Sequence, residues 1–154
     1  MRKHLKVLFD ECVSSRQTLD LIAHGVALGE ERETVTLTLL PDFMRREGAL
    51  DRYWIPRAKA EGYSLIVTGD KGNKKRGDKL PEICVKEGFK HIVVSTKLRD
   101  KGGRFIALAI MGVWYGILES IDEADLRYQL RLVDTRKQEV GRHRIALMRR
   151  PLQQ

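Results

Sequence analysis

Short apolar runs, each closed by a small or polar residue, recur through the first hundred positions. They are Leu5 to Phe9, Val35 to Leu40, Tyr63 to Gly69 and His91 to Ser95. The first and last two are nearly continuously aliphatic, as strands covered on both faces are. The second alternates Thr with aliphatic residues and is closed by Pro41. Between the runs the period changes to that of a helix. Ser14 and Gln17 form a capping box, and Leu19, Ile22, Ala23 and Val26 then fall on one helical face, with Gly25 as terminator. Asp42 to Gly48 reads as a short helical turn or a loop.

In the segment Asp51 to Ala60, Pro56 is tolerated only in a first turn, where its missing N–H has no helical partner. The regular helix is therefore predicted from Tyr53 or Trp54, with Gly62 as its stop. A further helix is predicted with Asp78 as cap, Pro81 in the first turn, Leu80, Ile83 and Cys84 on its apolar face, and Gly88 as stop. Strands alternating with helices predict an α/β fold, a three-layer sandwich around a mostly parallel sheet of four to five strands.

The last third reads differently. Lys97 to Arg104 is a polar, Gly-rich turn, and Phe105 to Leu118 is a helix apolar nearly all round. Such a helix must be covered on every side, either by lying across the sheet under the C-terminal segment or at a subunit interface, so a homo-oligomer (a dimer) is expected. The run is shorter than the roughly 20 residues of a membrane span, so no membrane association is expected. Leu126 to Leu132 and His143 to Met148 alternate apolar and basic residues about a turn at Arg136 to Gly141, which reads as a β-hairpin. The expected organisation is a core over residues 1–103, with the C-terminal helix and basic hairpin of residues 104–154 packed on the same domain.

Charge narrows the class of partner. The chain carries a net +8 with a pI near 9.7, which favours polyanions such as nucleic acid. From Arg127 onward eight Lys/Arg face two acids, so most of the excess lies in the hairpin. Cys12 and Cys84 make no disulfide framework, and the basic start Met1-Arg2-Lys3-His4 leads into too short an apolar run for a signal peptide. A cytoplasmic protein with reduced thiols is expected.

The candidate chemistry is carboxylate. Asp10, Asp51 and Asp70 all fall at predicted strand ends or helix starts on one side of the sheet, where open α/β sheets build their sites. Glu11 adjoins the first and Asp78 follows the third. Hard oxygen ligands with room for water suit Mg²⁺ or Mn²⁺. Plain helix caps at Asp51 and Asp78, and a turn at Asp70, are the competing structural readings. An acid pair directly after a buried strand is costly without a partner, which makes Asp10 and Glu11 harder to explain that way. Lys71, Lys74, Lys75, Arg76 and Lys79 follow the third acid and could hold phosphates, with Arg45 and Arg46 on the opposite side; a solvated loop is the alternative. Neither phosphate-binding glycine motif occurs, and the four histidines are not spaced for zinc.

Three pieces taken together carry a resemblance. They are Leu8-Phe9-Asp10-Glu11 followed by Ser14, then Asp51 to Ala58, then Ile66-Val67-Thr68-Gly69-Asp70-Lys71. In this order the chain resembles the PIN-like domains, the nuclease fold of VapC-type toxins, over roughly residues 4–96, and looks closest to their compact branch. The resemblance implies a metal-dependent endoribonuclease cutting single-stranded RNA, with Asp10, Asp51 and Asp70 as metal ligands, Glu11 as an auxiliary acid and Thr68 orienting the site. It also implies the toxin of a toxin–antitoxin pair, with a cognate antitoxin as partner. Larger members carry a further Glu between the first two Asp motifs; no residue here stands in such a motif, so the fourth acid is Glu11, Asp78 or absent. The rival readings are a PIN-like module that binds RNA or protein without cleaving, and a small phosphotransfer enzyme. For the latter, the Asp-x-Thr pattern of haloacid-dehalogenase phosphatases is missing after the first strand.

Overall fold

A computed structural model describes residues 4–10, 15–27, 35–44, 51–69, 79–121, 123, 127–134 and 143–149; at 51–52, 132–134 and 143–149 it describes backbone alone. The elements in chain order are β1 (Leu5–Phe9), α1 (Arg16–Ala27), β2 (Val35–Leu39), α2 (Leu40–Met44), α3 (Asp51–Ala60), β3 (Tyr63–Thr68), α4 (Leu80–Glu87), β4 (Lys90–Val94), α5 (Thr96–Arg99), α6 (Gly103–Gly112), α7 (Trp114–Ser120), β5 (Arg127–Asp134) and β6 (His143–Arg149). The six strands form one sheet in the order β2-β1-β3-β4-β5-β6. The first five are parallel, and β6 returns antiparallel to β5. The expected α/β sandwich is therefore present, and the C-terminal hairpin extends its sheet.

Side-chain alternation sorts the strands between two cores. Val7, Phe9, Leu65, Val67, Ile92 and Val94 pack with α1, α6 and α7 on one face; Leu8 and Ile66 pack with α3 and α4 on the other. All eight are essentially inaccessible to water, which is why these runs lack the polar alternation of a half-exposed strand.

Helix boundaries follow hydrogen-bond valence. Gly88 ends α4 in the left-handed conformation at φ 65°, with its N–H on the Val85 carbonyl and that of Phe89 on Cys84, as its predicted role as a stop requires. Gly62, at φ 90°, follows α3 in the same region of backbone space.

Several expectations change. The N-cap of α1 is Ser15, whose Oγ accepts the Thr18 N–H at 3.2 Å, and Ser14 lies outside the described residues. Gly25 does not terminate α1, which runs to Ala27. It instead faces α6: a Cβ at Gly25 would lie 1.9 Å from Met111 Sδ. Helix α3 begins at Asp51 and holds Pro56 inside it. Burial of Trp54, Ile55 and Ala58 outweighs the one backbone hydrogen bond that Pro56 cannot make. The cap of α4 is Lys79, without a side-chain hydrogen bond, and Asp78 lies outside the described residues. The polar turn at Lys97 to Arg104 contains α5, capped by Ser95 Oγ on the Leu98 N–H.

The long apolar helix is two helices that meet at Val113, where φ −105° and ψ 11° leave the helical region. Gly112 and a β-branched residue are weak helix formers at that point, and the bend keeps Trp114 and Ile117 in the core. Cover is incomplete: Leu108 is 54% and Tyr115 70% exposed.

Candidate functional site at the carboxyl edge of the sheet

The strand order reverses direction between β1 and β3, since the chain leaves β1 for β2 on one side and later adds β3 on the other. At such a point the flanking connections separate and leave a crevice beyond the carboxyl ends of the strands. Asp10 follows β1 and Thr68 ends β3, so the two meet at this crevice. The Asp10 N–H donates to the Val67 carbonyl at 2.9 Å, which carries the pairing of β1 with β3 one residue past the strand. Thr68 is fully buried, and its hydroxyl donates to Asp10 Oδ2 at 2.8 Å. A charge-assisted hydrogen bond from a buried, β-branched residue fixes the carboxylate in one orientation.

Continuing the alternation past Leu8 and Ile66 places Asp10 and Thr68 towards the face covered by α3. Only Glu61 and Gly62 separate α3 from β3, so α3 runs back antiparallel to the strand and its first residue, Asp51, returns to the carboxyl edge. The positive end of the helix dipole lies there as well. Asp51 is described as backbone only, while Glu11, Asp70, Lys71, Lys74, Lys75 and Arg76 lie outside the described residues, as do Arg45 and Arg46. Among the described residues no three His, Cys, Asp or Glu side chains gather closely enough to hold a metal ion. Of the expected ligands, Asp10 is the one whose carboxylate is described, and its fixed, hard oxygen donors fit Mg²⁺ or Mn²⁺.

Other polar groups line the same edge. Arg16, the first residue of α1, grips Asp42 of α2 through Nη2 at 2.9 and 3.0 Å, joining the two connections that flank β1 and β2. At the start of α1, Ser15 Oγ and Thr18 Oγ1 are 3.1 Å apart. A Cβ on Gly103 would lie 2.4 Å from Thr18 Oγ1. Gly103 against Thr18 and Gly25 against Met111 set α1 and α6 side by side and parallel, with both N-termini at the carboxyl edge.

One residue at this edge is absent from the sequence-derived set. Arg99, at the end of α5, lays its guanidinium over Gly69: an ideal Cβ there would be 2.6 Å from Nη1 and 2.9 Å from Cζ. Its Nη2 donates to Thr96 Oγ1 at 3.3 Å, and its Nε is buried without a hydrogen-bond partner among the described residues. The signal that could have found it is Ser95, an N-cap directly after a buried strand, which starts a helical turn where a loop was expected.

No family model, curated protein or solved structure matches the chain. Among the described residues no helix is long and apolar enough to cross a membrane.

Proposed function

We propose that the chain is a PIN-like, metal-dependent endoribonuclease, the toxin of a toxin–antitoxin pair, acting on single-stranded RNA. The observation that carries this reading is the buried Thr68 hydroxyl on the Asp10 carboxylate at the point where the strand order reverses. A hydroxyl fully removed from water and given to a carboxylate at a sheet edge holds that carboxylate ready for a cation. The ordered resemblance of the three acid-bearing segments supports the same reading, as does the net positive charge.

In this mechanism Asp10, Asp51 and Asp70 would hold Mg²⁺ or Mn²⁺, and Glu11 would assist. The ion would supply charge neutralisation at the phosphodiester and a lowered pKa for the attacking water. Thr68 orients Asp10 by donating its hydroxyl proton to Oδ2, so the lone pairs of that carboxylate keep a fixed direction as charge builds on the phosphate. Lys71, Lys74, Lys75 and Arg76 hold flanking phosphates. No protein nucleophile takes part.

The test is cleavage of a mixed RNA pool with Mg²⁺ or Mn²⁺. Asp10→Asn and Asp70→Asn should each lower kcat by at least about a hundredfold, since each neutralises a ligand carboxylate. Equal cleavage by wild type and both variants would reject the carboxylate site. RNA binding without cleavage in the wild type would favour the non-cleaving PIN-like module, the reading supported by the lack of a fourth acid in a recognisable motif.

A further inference from the structure

We infer that Arg99 is a further substrate-phosphate residue of this site, holding the RNA phosphate next to the one that is cut. This rests on the ribonuclease reading and adds to it a residue that lies outside the three acid-bearing segments. The carboxylate and the guanidinium approach the crevice from opposite faces of the sheet. Asp10 and Thr68 fall on the α3 side, whereas Arg99 descends from α5, whose Leu98 belongs to the core beneath α1 and α6. Its guanidinium ends over Gly69, the residue directly before Asp70.

Three observations separate this arginine from a surface charge. The plane of contact is the one position in the Ile66 to Asp70 stretch without a side chain, and any Cβ at Gly69 would strike Nη1 and Cζ. The backbone conformation does not itself require glycine there, because Gly69 is not among the glycines with positive φ. A side chain at Gly69 would therefore have to displace the end of the Arg99 side chain. Next, the donors are underused: Nη2 makes one long bond to Thr96, and Nε has no partner among the described residues. A guanidinium offers five N–H groups in a fork that matches two oxygens of one phosphate, and the group is always charged. Finally, the chain leaving Arg99 carries the exposed cations Lys101 and Arg104, with Asp100 the only acid from Arg99 to Arg104. A polyanion bound at Arg99 therefore has further cations to run along. Single-stranded RNA, with a charge at every nucleotide and splayed bases, fits a row of cations beside a crevice better than a small phosphate ester would.

The test measures binding of a fluorescent single-stranded RNA oligonucleotide in the Asp70→Asn background, across a range of salt, with Arg99→Gln, Arg99→Lys and the distal control Lys86→Gln. Loss of one phosphate contact should weaken binding about fivefold in Arg99→Gln and reduce the slope of log Kd against log salt by about 0.7. Arg99→Lys should keep the slope and lose affinity, and Lys86→Gln should change neither. With Asp70 intact, Arg99→Gln should raise KM more than it lowers kcat. Thermal unfolding of each variant checks the fold; if Arg99→Gln does not fold, affinity and slope in Arg99→Lys decide. Unchanged slope and affinity in Arg99→Gln, with wild-type cleavage present, would overturn the role of Arg99 and leave the ribonuclease standing. Weakened Mn²⁺ binding with an unchanged RNA slope would also overturn it, assigning Arg99 to the carboxylates instead. A wild-type chain that neither binds nor cuts RNA would remove both proposals.

Discussion

The two edges of the sheet use positive charge in opposite ways. At the amino edge three lysines cap backbone carbonyls. Lys6 Nζ donates to Glu61 O at 2.7 Å, Lys90 Nζ to Glu123 O at 2.9 Å, and Lys59 Nζ to Glu87 O. Each carbonyl lies in the last turn of a helix or in the connection that feeds the next strand, where the backbone has run out of N–H partners. Lys6 and Lys90 also lie over the rings of Tyr63 and Tyr128. Each of these cations gives at least one N–H to a backbone carbonyl. At the carboxyl edge the charged groups bond other side chains, Asp10 with Thr68, Arg16 with Asp42 and Arg99 with Thr96, and Arg99 keeps donors to give. The difference teaches where to look for ligands. A charge bonded to backbone carbonyls holds the fold, and a charge held over a glycine at the reversal of strand order is available to something else.

Substitutions at the two edges should therefore separate activity from stability. Among substitutions that leave the carboxylates in place, the largest effect should come from Thr68→Val, which keeps the shape and removes the hydroxyl. Cleavage should fall about 10–100-fold, as for other groups that orient metal-binding carboxylates. Because Asp10 is partly exposed and rehydrates, unfolding stability should fall by only about 1–2 kcal/mol. Kinetics and urea unfolding on the same samples check both numbers, and unchanged cleavage would remove Thr68 from the site.

Lys90→Met makes the opposite test at the amino edge. Lys90 is 5% exposed, and its loss leaves the Glu123 carbonyl without that donor. Stability should drop by about 1–2 kcal/mol with kcat and KM unchanged. A loss of cleavage at full stability would erase the contrast between the edges. The smallest effect is expected from Gly69→Ala, whose new methyl must displace the Arg99 guanidinium. RNA affinity should fall about two- to threefold, part of the loss expected for Arg99→Gln, and the double variant should be no worse than Arg99→Gln alone. Additive losses would mean that the methyl acts on something other than Arg99.

What the sequence by itself determined is whatever depends on near neighbours. The buried strands β1, β3 and β4 were legible because unbroken aliphatic runs are stable only between two covering layers. The stops at Gly62 and Gly88 were legible because a left-handed turn strongly favours glycine. The placement of Asp10 directly after a buried strand, with Thr68 at the end of another, could also be read locally. The local reading fails where a partner distant in sequence decides. Pro56 stays inside α3, since burial of Trp54 and Ile55 sets where that helix lies. Gly25 looked like a helix stop and proved to be a place where α6 packs close, 86 positions away at Met111. Arg99 looked like part of a polar turn until the tertiary structure brought it over Gly69, 30 positions earlier. A one-dimensional pattern records which surfaces must be buried and which backbone groups must be bonded. It does not record which two surfaces meet, because that depends on the relative placement of whole elements, and only the folded sheet set the Arg99 guanidinium over Gly69.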